Sequence, residues 1–252
     1  MFNDDLHTMS LSADGSYTAY SKEYDEHYHS TKDGALHESL VKHVSPAMKL
    51  YGHKDELFIL DICYGLGFNT LATLYYHKKN NLKCKLHIYS PELDASLVQS
   101  LPLFAYPDEF KEFREIIVSL SEEGFYRDKN IFIELFVGDA REYIKRFSDK
   151  FDIVYQDAFS PSTNPILWTK EYFADIKKAV KKDALITTYS IAFKTRLALY
   201  ENGFNLYTHE GEDFRTATLA SQVELQEYKF VDMPHKISCN KELKSLRDSD
   251  LN

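Results

Sequence analysis

The chain has 252 residues, with 30 Lys and Arg against 39 Asp and Glu for a formal net charge of -9, 44% hydrophobic and 14% aromatic residues, and a pI near 5.6. That length fits one large domain or two small ones and needs no disulfide or metal staple, and 27% charged residues among so many apolar ones exclude a disordered chain. Apolar runs such as Leu57 to Ile62 fall far short of the roughly 20 residues of a membrane span, and net acidity argues against non-specific coating of nucleic acid, leaving a local Lys/Arg face as the route to a phosphate backbone.

Met1 to Ser10 carries Asp4 and Asp5 where a secretory signal needs positive charge and an apolar stretch, so export is not expected. Cys63, Cys84 and Cys239 are odd in number and form no C-x-x-C pair, which points to a reducing cytoplasm and to neither a disulfide framework nor a metal. His27, His29, His37 and His43 stand in no carboxylate-supported ligand spacing and are expected on the surface or on helices.

Strand-like and helix-like runs alternate along the chain, the pattern of an α/β fold with a mostly parallel sheet and helices on both faces. Leu57 to Ile62 reads as a buried parallel strand ending at glycines, and Asn69 to Lys79 as a helix with Leu71, Leu74 and Tyr75 on one face. Lys85 to Ser90 is a second strand, stopped by Pro91, with a short helix over Glu92 to Leu103. Asp108 to Leu120 is an amphipathic helix, followed by strands over Ile131 to Val137 and Phe151 to Gln156. A helix over Trp168 to Lys181 precedes a strand over Leu185 to Tyr189. Ala192 to Asn202 is a helix closed by Gly203. Phe204 to His209 and Ala217 to Ser221 have the composition of a closing antiparallel pair. The segment from Val231 holds Pro234, Lys236, Lys241, Lys244 and Arg247 and is expected as a docked or frayed tail. No repeat or Pro/Gly/Ser linker interrupts the chain, so the expected organisation is an N-terminal extension over 1–50, one domain over 51–230 and a tail over 231–252.

Four segments with chemical potential fall at strand ends, where open parallel sheets bind ligands. The first runs from Asp61 to Asn69, with Gly65 and Gly67 allowing close backbone approach to a nucleotide-like ligand. Alone it equally fits a tight strand-to-helix turn. The second is Glu92, suited to accept from both ribose hydroxyls of an adenosine; alone it reads as a solvated charge at a helix N-terminus. The third is Gly138-Asp139-Ala140, where Asp139 suits an adenine amino group or a helix N-cap. Glycine turn, Glu and Asp at successive strand ends are together what an adenosine cofactor needs. No Gly-Lys-Ser/Thr follows the glycines and the full G-x-G-x-x-G is missing, which disfavours a P-loop and NAD and leaves S-adenosyl-L-methionine; Asp61 beneath the loop suits its positive charge. In the fourth segment, Asp157 to Trp168, two prolines and a Ser/Thr/Asn cluster make a rigid loop that presents Asp157 to an acceptor amine.

These motifs resemble the methyltransferase domain of the bacterial tRNA wobble-uridine enzymes of the MnmC family, over about Leu11 to Ser221. Ser21 to Ser30 with Gly34 and Glu38 looks like that family's N-terminal signature. Gly65-Leu66-Gly67-Phe68-Asn69, Glu92 and Gly138-Asp139 match its cofactor elements, and Asp157-Ala158-Phe159-Ser160-Pro161 with Asn164-Pro165 and Trp168-Thr169 its most specific motif. The resemblance implies a Rossmann-like S-adenosylmethionine-dependent methyltransferase fold with an antiparallel closing strand. It also implies methyl transfer to the exocyclic amine of 5-aminomethyl-(2-thio)uridine at the tRNA wobble position. Asp157 is then the catalytic residue, Asp61, Gly65, Gly67, Asn69, Glu92, Asp139, Ala140 and Asp157 hold the cofactor, and Tyr28 and Phe159 line the substrate site, chosen from Tyr24, Tyr28, Phe159 and Trp168. The family's fused flavin oxidoreductase has no counterpart here, so no FAD is expected and a separate oxidoreductase would act upstream. No metal and no membrane are expected.

Three positions depart from the family pattern. Cys63 stands where a first glycine is usual, Thr163 replaces a lysine in the loop after Asp157, and a basic cluster is reduced to Phe214-Arg215-Thr216. Contacts to RNA then fall to Lys177, Lys178, Lys181 and Lys182 or to the basic tail, although a solvated helix end explains those lysines as well. Two alternatives stay open: an aminopropyltransferase resembling spermidine synthase, and a methyltransferase fold kept as a binding module without catalysis.

Overall fold

The structure, a computed structural model, describes Phe2 and residues 6–251; Asp4 and Asp5 lie outside the described residues. Strands β1 His7–Leu11, β2 Tyr17–Ser21 and β3 Glu26–His27 form a small antiparallel sheet. It leads into α1 Ala35–Glu38, a π-helical stretch Ser39–Val44 and α2 Ser45–Tyr51.

The large sheet then begins with β4 Glu56–Ile62, followed by α3 Phe68–Lys79, β5 Lys85–Glu92, α4 Ala95–Ser100, α5 Arg114–Glu123, β6 Phe125–Arg127 and β7 Ile131–Val137. Next come α6 Ala140–Ile144, β8 Phe151–Gln156, α7 Lys170–Ala179, β9 Val180–Thr188 and α8 Phe193–Glu201. β10 Asn205–His209, β11 Ala217–Ser221, β12 Lys229–Phe230 and α9 Met233–Cys239 complete it.

The strand order is β12-β10-β11-β9-β8-β4-β5-β7-β6. The run β9-β8-β4-β5-β7 is parallel, while β11 closes on β9 antiparallel, as the composition of the last strands suggests. The chain leaves β4 toward β5 and returns to β8 on its other side, so the order reverses between β4 and β8, where ligands of such sheets bind. Alternation along β4 sends Leu57 and Ile59 into one buried cluster and Leu60 and Ile62 into the other, which places the sheet between two apolar layers.

Several boundaries differ from those expected. Pro91 does not stop its strand: β5 continues through Pro91 and Glu92, which pair with Phe136 and Val137. The helix beyond it starts at Ala95, capped by Asp94, whose side chain accepts from the Ser96 and Leu97 amides. The helix expected from Asp108 is 3-10 over Asp108–Phe113 and becomes α at Arg114. α7 is shorter than its sequence pattern, because Thr169 caps its start and Val180 joins β9 opposite Phe151. The tail is docked: Val231 and Met233 are buried, Arg141 makes a two-pronged contact with Asp248 at 2.8 and 2.7 Å, and Arg247 pairs with Glu171.

Candidate active site

A cavity of about 970 Å³ opens at the carboxyl ends of β4, β5, β7 and β8, with the N-terminal segment as its far wall. That volume is at the upper end of the range for small-molecule sites. The turn after β4 holds three residues in left-handed conformation, Cys63 (φ 63°), Gly65 (φ 54°) and Gly67 (φ 77°). Cys63 thus adopts a backbone conformation ordinarily left to glycine. A Cβ on Gly65 would meet the Tyr28 ring at 2.9 Å, so the bare backbone is what lets the N-terminal segment close on this loop.

Glu92 ends β5 and is 8% exposed. Its Oε2 accepts from the Gly65 amide at 2.8 Å and its Oε1 from the Asp94 amide at 2.9 Å. It is therefore a buried carboxylate bound to the glycine turn, not a solvated charge on a helix. Burial pushes its carboxyl up in pKa, against those amides, which favour the ionised form. With the Leu93 amide also bonding it, the carboxylate keeps capacity for a further donor in the cavity. Asp139 caps α6 by accepting from the Glu142 amide at 2.9 Å, and it lines the cavity together with Ala140.

Asp61 and Gly67 fall outside the cavity wall. The Asp61 side chain turns toward α3, where its Oδ2 accepts from Thr70 Oγ1 at 2.7 Å, and burial pushes its carboxyl up to about 7. Direct contact between this side chain and a ligand, as expected from its place beneath the loop, is not what the fold provides. Gly67 instead caps α3 with its left-handed backbone.

Asp157 follows β8 with its side chain 8% exposed. Asn69 Nδ2 donates to its Oδ2 at 2.8 Å, His43 Nε2 stands 3.4 Å from Oδ1, and His29 Nδ1 lies 4.0 Å from Oδ2. Burial alone raises the pKa of this carboxyl; His43, His29 and the Asn69 amide outweigh it and hold it below the usual carboxylate range. The loop beyond is tied on both sides. Trp168 Nε1 donates to the Phe159 carbonyl at 2.7 Å, and Glu26 accepts from the Ser160 amide at 3.1 Å and its hydroxyl at 3.0 Å. Thr163 lies inside this loop, bonded by Ser160 Oγ at 3.2 Å.

Phe159 stacks on Tyr24 at 4.7 Å and meets Tyr28 at 4.9 Å, giving the cavity an aromatic side wall. Trp168, 1% exposed, is core and does not face a ligand. His29, 8% exposed and on no helix, departs from the expected surface or helix placement, whereas His43 lies on the π-helical stretch but is fully buried. Spacing gave no warning, because only the docking of the N-terminal segment brings them to the end of β8. Lys178 pairs with Asp175, and Lys181 with Asp152 at the start of β8, so these lysines sit at the opposite end of the strands from the cavity. Arg215 and Lys32 are exposed basic residues lining the mouth; Arg215 is 3.2 Å from Ser30 Oγ and 3.4 Å from Asp33 Oδ2. Among the described residues no group of three or more His, Cys, Asp or Glu is arranged to hold a metal ion, and no helix is long and apolar enough to cross a membrane.

Residues 110–222 match a family model described as S-adenosyl-L-methionine-dependent methyltransferase. An uncharacterised protein of Methanocaldococcus jannaschii is 32% identical over 205 residues, covering 79% of this chain and 54% of that protein. The tRNA 5-methylaminomethyl-2-thiouridine biosynthesis bifunctional protein MnmC of Leptospira interrogans is 28% identical over 210 residues, 77% of this chain and 32% of that one. The chain thus spans about half the length of the first and about a third of the second. The crystal structure of MNMC2 from Aquifex aeolicus superposes with a TM-score of 0.82 at 29% identity, covering 98% of this chain and 80% of that one.

Proposed function

Since the chain belongs to the S-adenosyl-L-methionine-dependent methyltransferases of the MnmC type, we propose that it methylates the exocyclic amine of 5-aminomethyl-(2-thio)uridine at the tRNA wobble position. The cofactor's chemistry is a methyl group carried on a positively charged sulfur. The residues fit it: the Gly65 backbone has no room for a side chain, Glu92 is fixed beside that turn, and Asp139 and Ala140 complete the floor. Tyr24, Tyr28 and Phe159 offer ring faces to a cation or a flattened base.

The observation that carries the reading is Asp157. An ionised, nearly buried carboxylate in the same cavity as Glu92 suits an acceptor bearing a positive charge, and Asn69 fixes its direction. Asp157 accepts hydrogen bonds from the acceptor ammonium and points its nitrogen at the methyl group, while the loop tied by Glu26 and Trp168 keeps Asp157 in place. Arg215 supplies a positive charge at the mouth for a phosphate of the RNA. The substrate would be prepared by a separate oxidoreductase, and the setting is the cytoplasm, where tRNA is modified.

Mass spectrometry of nucleosides from the tRNA of a deletion strain tests this. Accumulation of 5-aminomethyl-uridine, and its methylation when the protein and S-adenosyl-L-methionine are added, is the expected result. The acidic cavity also suits a polycation; turnover of putrescine with the decarboxylated cofactor, and none on tRNA, would assign aminopropyl transfer instead. An absence of cofactor binding heat in calorimetry would assign a binding module.

A further inference from the structure

An alkylamine is mostly protonated at neutral pH, and its lone pair must be freed before it can take a methyl group. Asp157 is a poor final acceptor for that proton, because His43 and the Asn69 amide favour the ionised carboxylate. Resting on the amine-methylation reading above, we propose that His29 is the base that takes the proton from the acceptor ammonium while Asp157 holds that ammonium in place.

The geometry allows one nitrogen to serve both. His29 lines the cavity, and its Nδ1 is 4.0 Å from Asp157 Oδ2. A nitrogen at an ordinary hydrogen-bond distance of about 2.8 Å from each closes a triangle with an apex of roughly 90°, so two N–H bonds of one ammonium can address the two groups. The ring is held in place without using its nitrogens: the His29 amide donates to Thr18 Oγ1 at 3.1 Å and the ring meets Phe68 edge-on at 5.1 Å. The nearest carboxylate oxygens already have donors, Asp157 Oδ2 from Asn69 and Glu38 Oε2 from the Ser30 amide. Nδ1 stands 3.9 Å from that Glu38 oxygen, too far for a hydrogen bond, so in the tautomer with its proton on Nε2 the Nδ1 lone pair is unengaged.

The charged and titratable groups facing the ring are Asp157 from β8, Glu38 from α1, His43 from the π-helical stretch and Asp14 from the β1–β2 turn. Burial pushes the imidazole down, outweighing the acids, so it rests neutral and able to accept. Once protonated it lies between two carboxylates, and Glu38 is fixed there by the buried Lys42, whose Nζ is 2.7 Å from its Oε1. The ammonium N–H bond breaks, an Nδ1–H bond forms, and the electron pair stays on the amine nitrogen. When that pair takes the methyl group the nitrogen regains its positive charge, the sulfur keeps the C–S electrons and becomes neutral, and His29 passes its proton to solvent. His43 does not line the cavity; it is a positioning residue for Asp157.

Single-turnover methylation of tRNA carrying 5-aminomethyl-uridine, followed against pH, tests the proposal with His29→Gln. The wild type is expected to hold a plateau from about neutral pH upward. The variant is expected to be slower at pH 7 by roughly 10²–10⁴-fold, with the deficit closing about tenfold per pH unit and calorimetric affinity for S-adenosyl-L-methionine unchanged. A deficit that stays constant with pH, or none, overturns the role of His29 while leaving the methylation reading standing. A wild type that binds cofactor yet methylates no such tRNA overturns both. Should the variant not fold, ¹⁵N-histidine NMR of the wild type decides: a neutral ring with its proton on Nε2 at pH 7 is expected, and an imidazolium or an Nδ1 proton overturns the proposal.

Discussion

His43 Nε2 stands 3.4 Å from Asp157 Oδ1 while its Nδ1 lies 2.8 Å from Thr187 Oγ1. A ring from the N-terminal segment thus bridges the end of β8 to the neighbouring β9, and with Asn69 on the other oxygen it leaves the carboxylate little freedom to turn.

Asp157→Asn keeps the shape and removes the charge that holds an ammonium. Turnover is expected to fall by roughly 10²-fold, the loss that follows a small misplacement of a reacting group, with cofactor binding retained. Rates near those of the wild type at neutral pH would make Asp157 structural.

Glu92→Ala removes the acceptor of the Gly65 and Asp94 amides. S-adenosyl-L-methionine is expected to bind more weakly by about 1.5–3 kcal/mol, the range for hydrogen bonds to a charged group, in a protein that still unfolds cooperatively. Titration calorimetry showing unchanged affinity would remove Glu92 from the site.

Asp61 gives a pH signature. Its carboxyl is raised by burial to about 7 in the folded chain, above its unfolded value of 3.8. The folded state therefore binds the extra proton between these values, and the associated stability is fully present below the unfolded pKa and lost as pH rises through about 7. Asp61→Asn keeps an acceptor for Thr70 and cannot ionise, so its stability relative to the wild type should grow between pH 4 and 7, by on the order of 4 kcal/mol. Parallel denaturant midpoints across that range would refute the assignment.

Gly67 and Gly15 share a left-handed backbone but differ in surroundings. A Cβ on Gly67 would sit 2.6 Å from the Tyr64 ring, whereas one on Gly15 meets nothing within 4 Å. Gly15→Ala should cost about 1–2 kcal/mol for conformation alone, and Gly67→Ala about 1–3 kcal/mol more from overpacking. Equal losses in chemical denaturation would show that the ring moves aside.

The parallel strands were legible because burial on both faces leaves unbroken apolar runs, as in Leu57 to Ile62. The boundaries that escaped were set by single contacts. Pro91 stays in β5 because it needs no N–H at the end of a ladder, and Thr169 shortens α7 by capping it. Gly65, Glu92, Asp139 and Asp157 were legible as site candidates because each ends or follows a strand and its position along the chain fixes its place. Asp61 was misplaced because strand alternation, not position beneath the loop, decides which way its side chain turns. His29 and His43 carried no local signal, since their neighbours in space lie far away in sequence.

The N-terminal segment also sets the limits of modularity. Tyr28, His29 and His43 come from residues before 51, and Glu26 from that segment grips the loop after Asp157. Residues 51–230 contain the sheet and the glycine turn, yet only one side of the cavity. A chimera that exchanges that span between relatives would join a foreign floor to a native roof, and its fidelity would depend on whether Gly65 and Tyr28 still interlock.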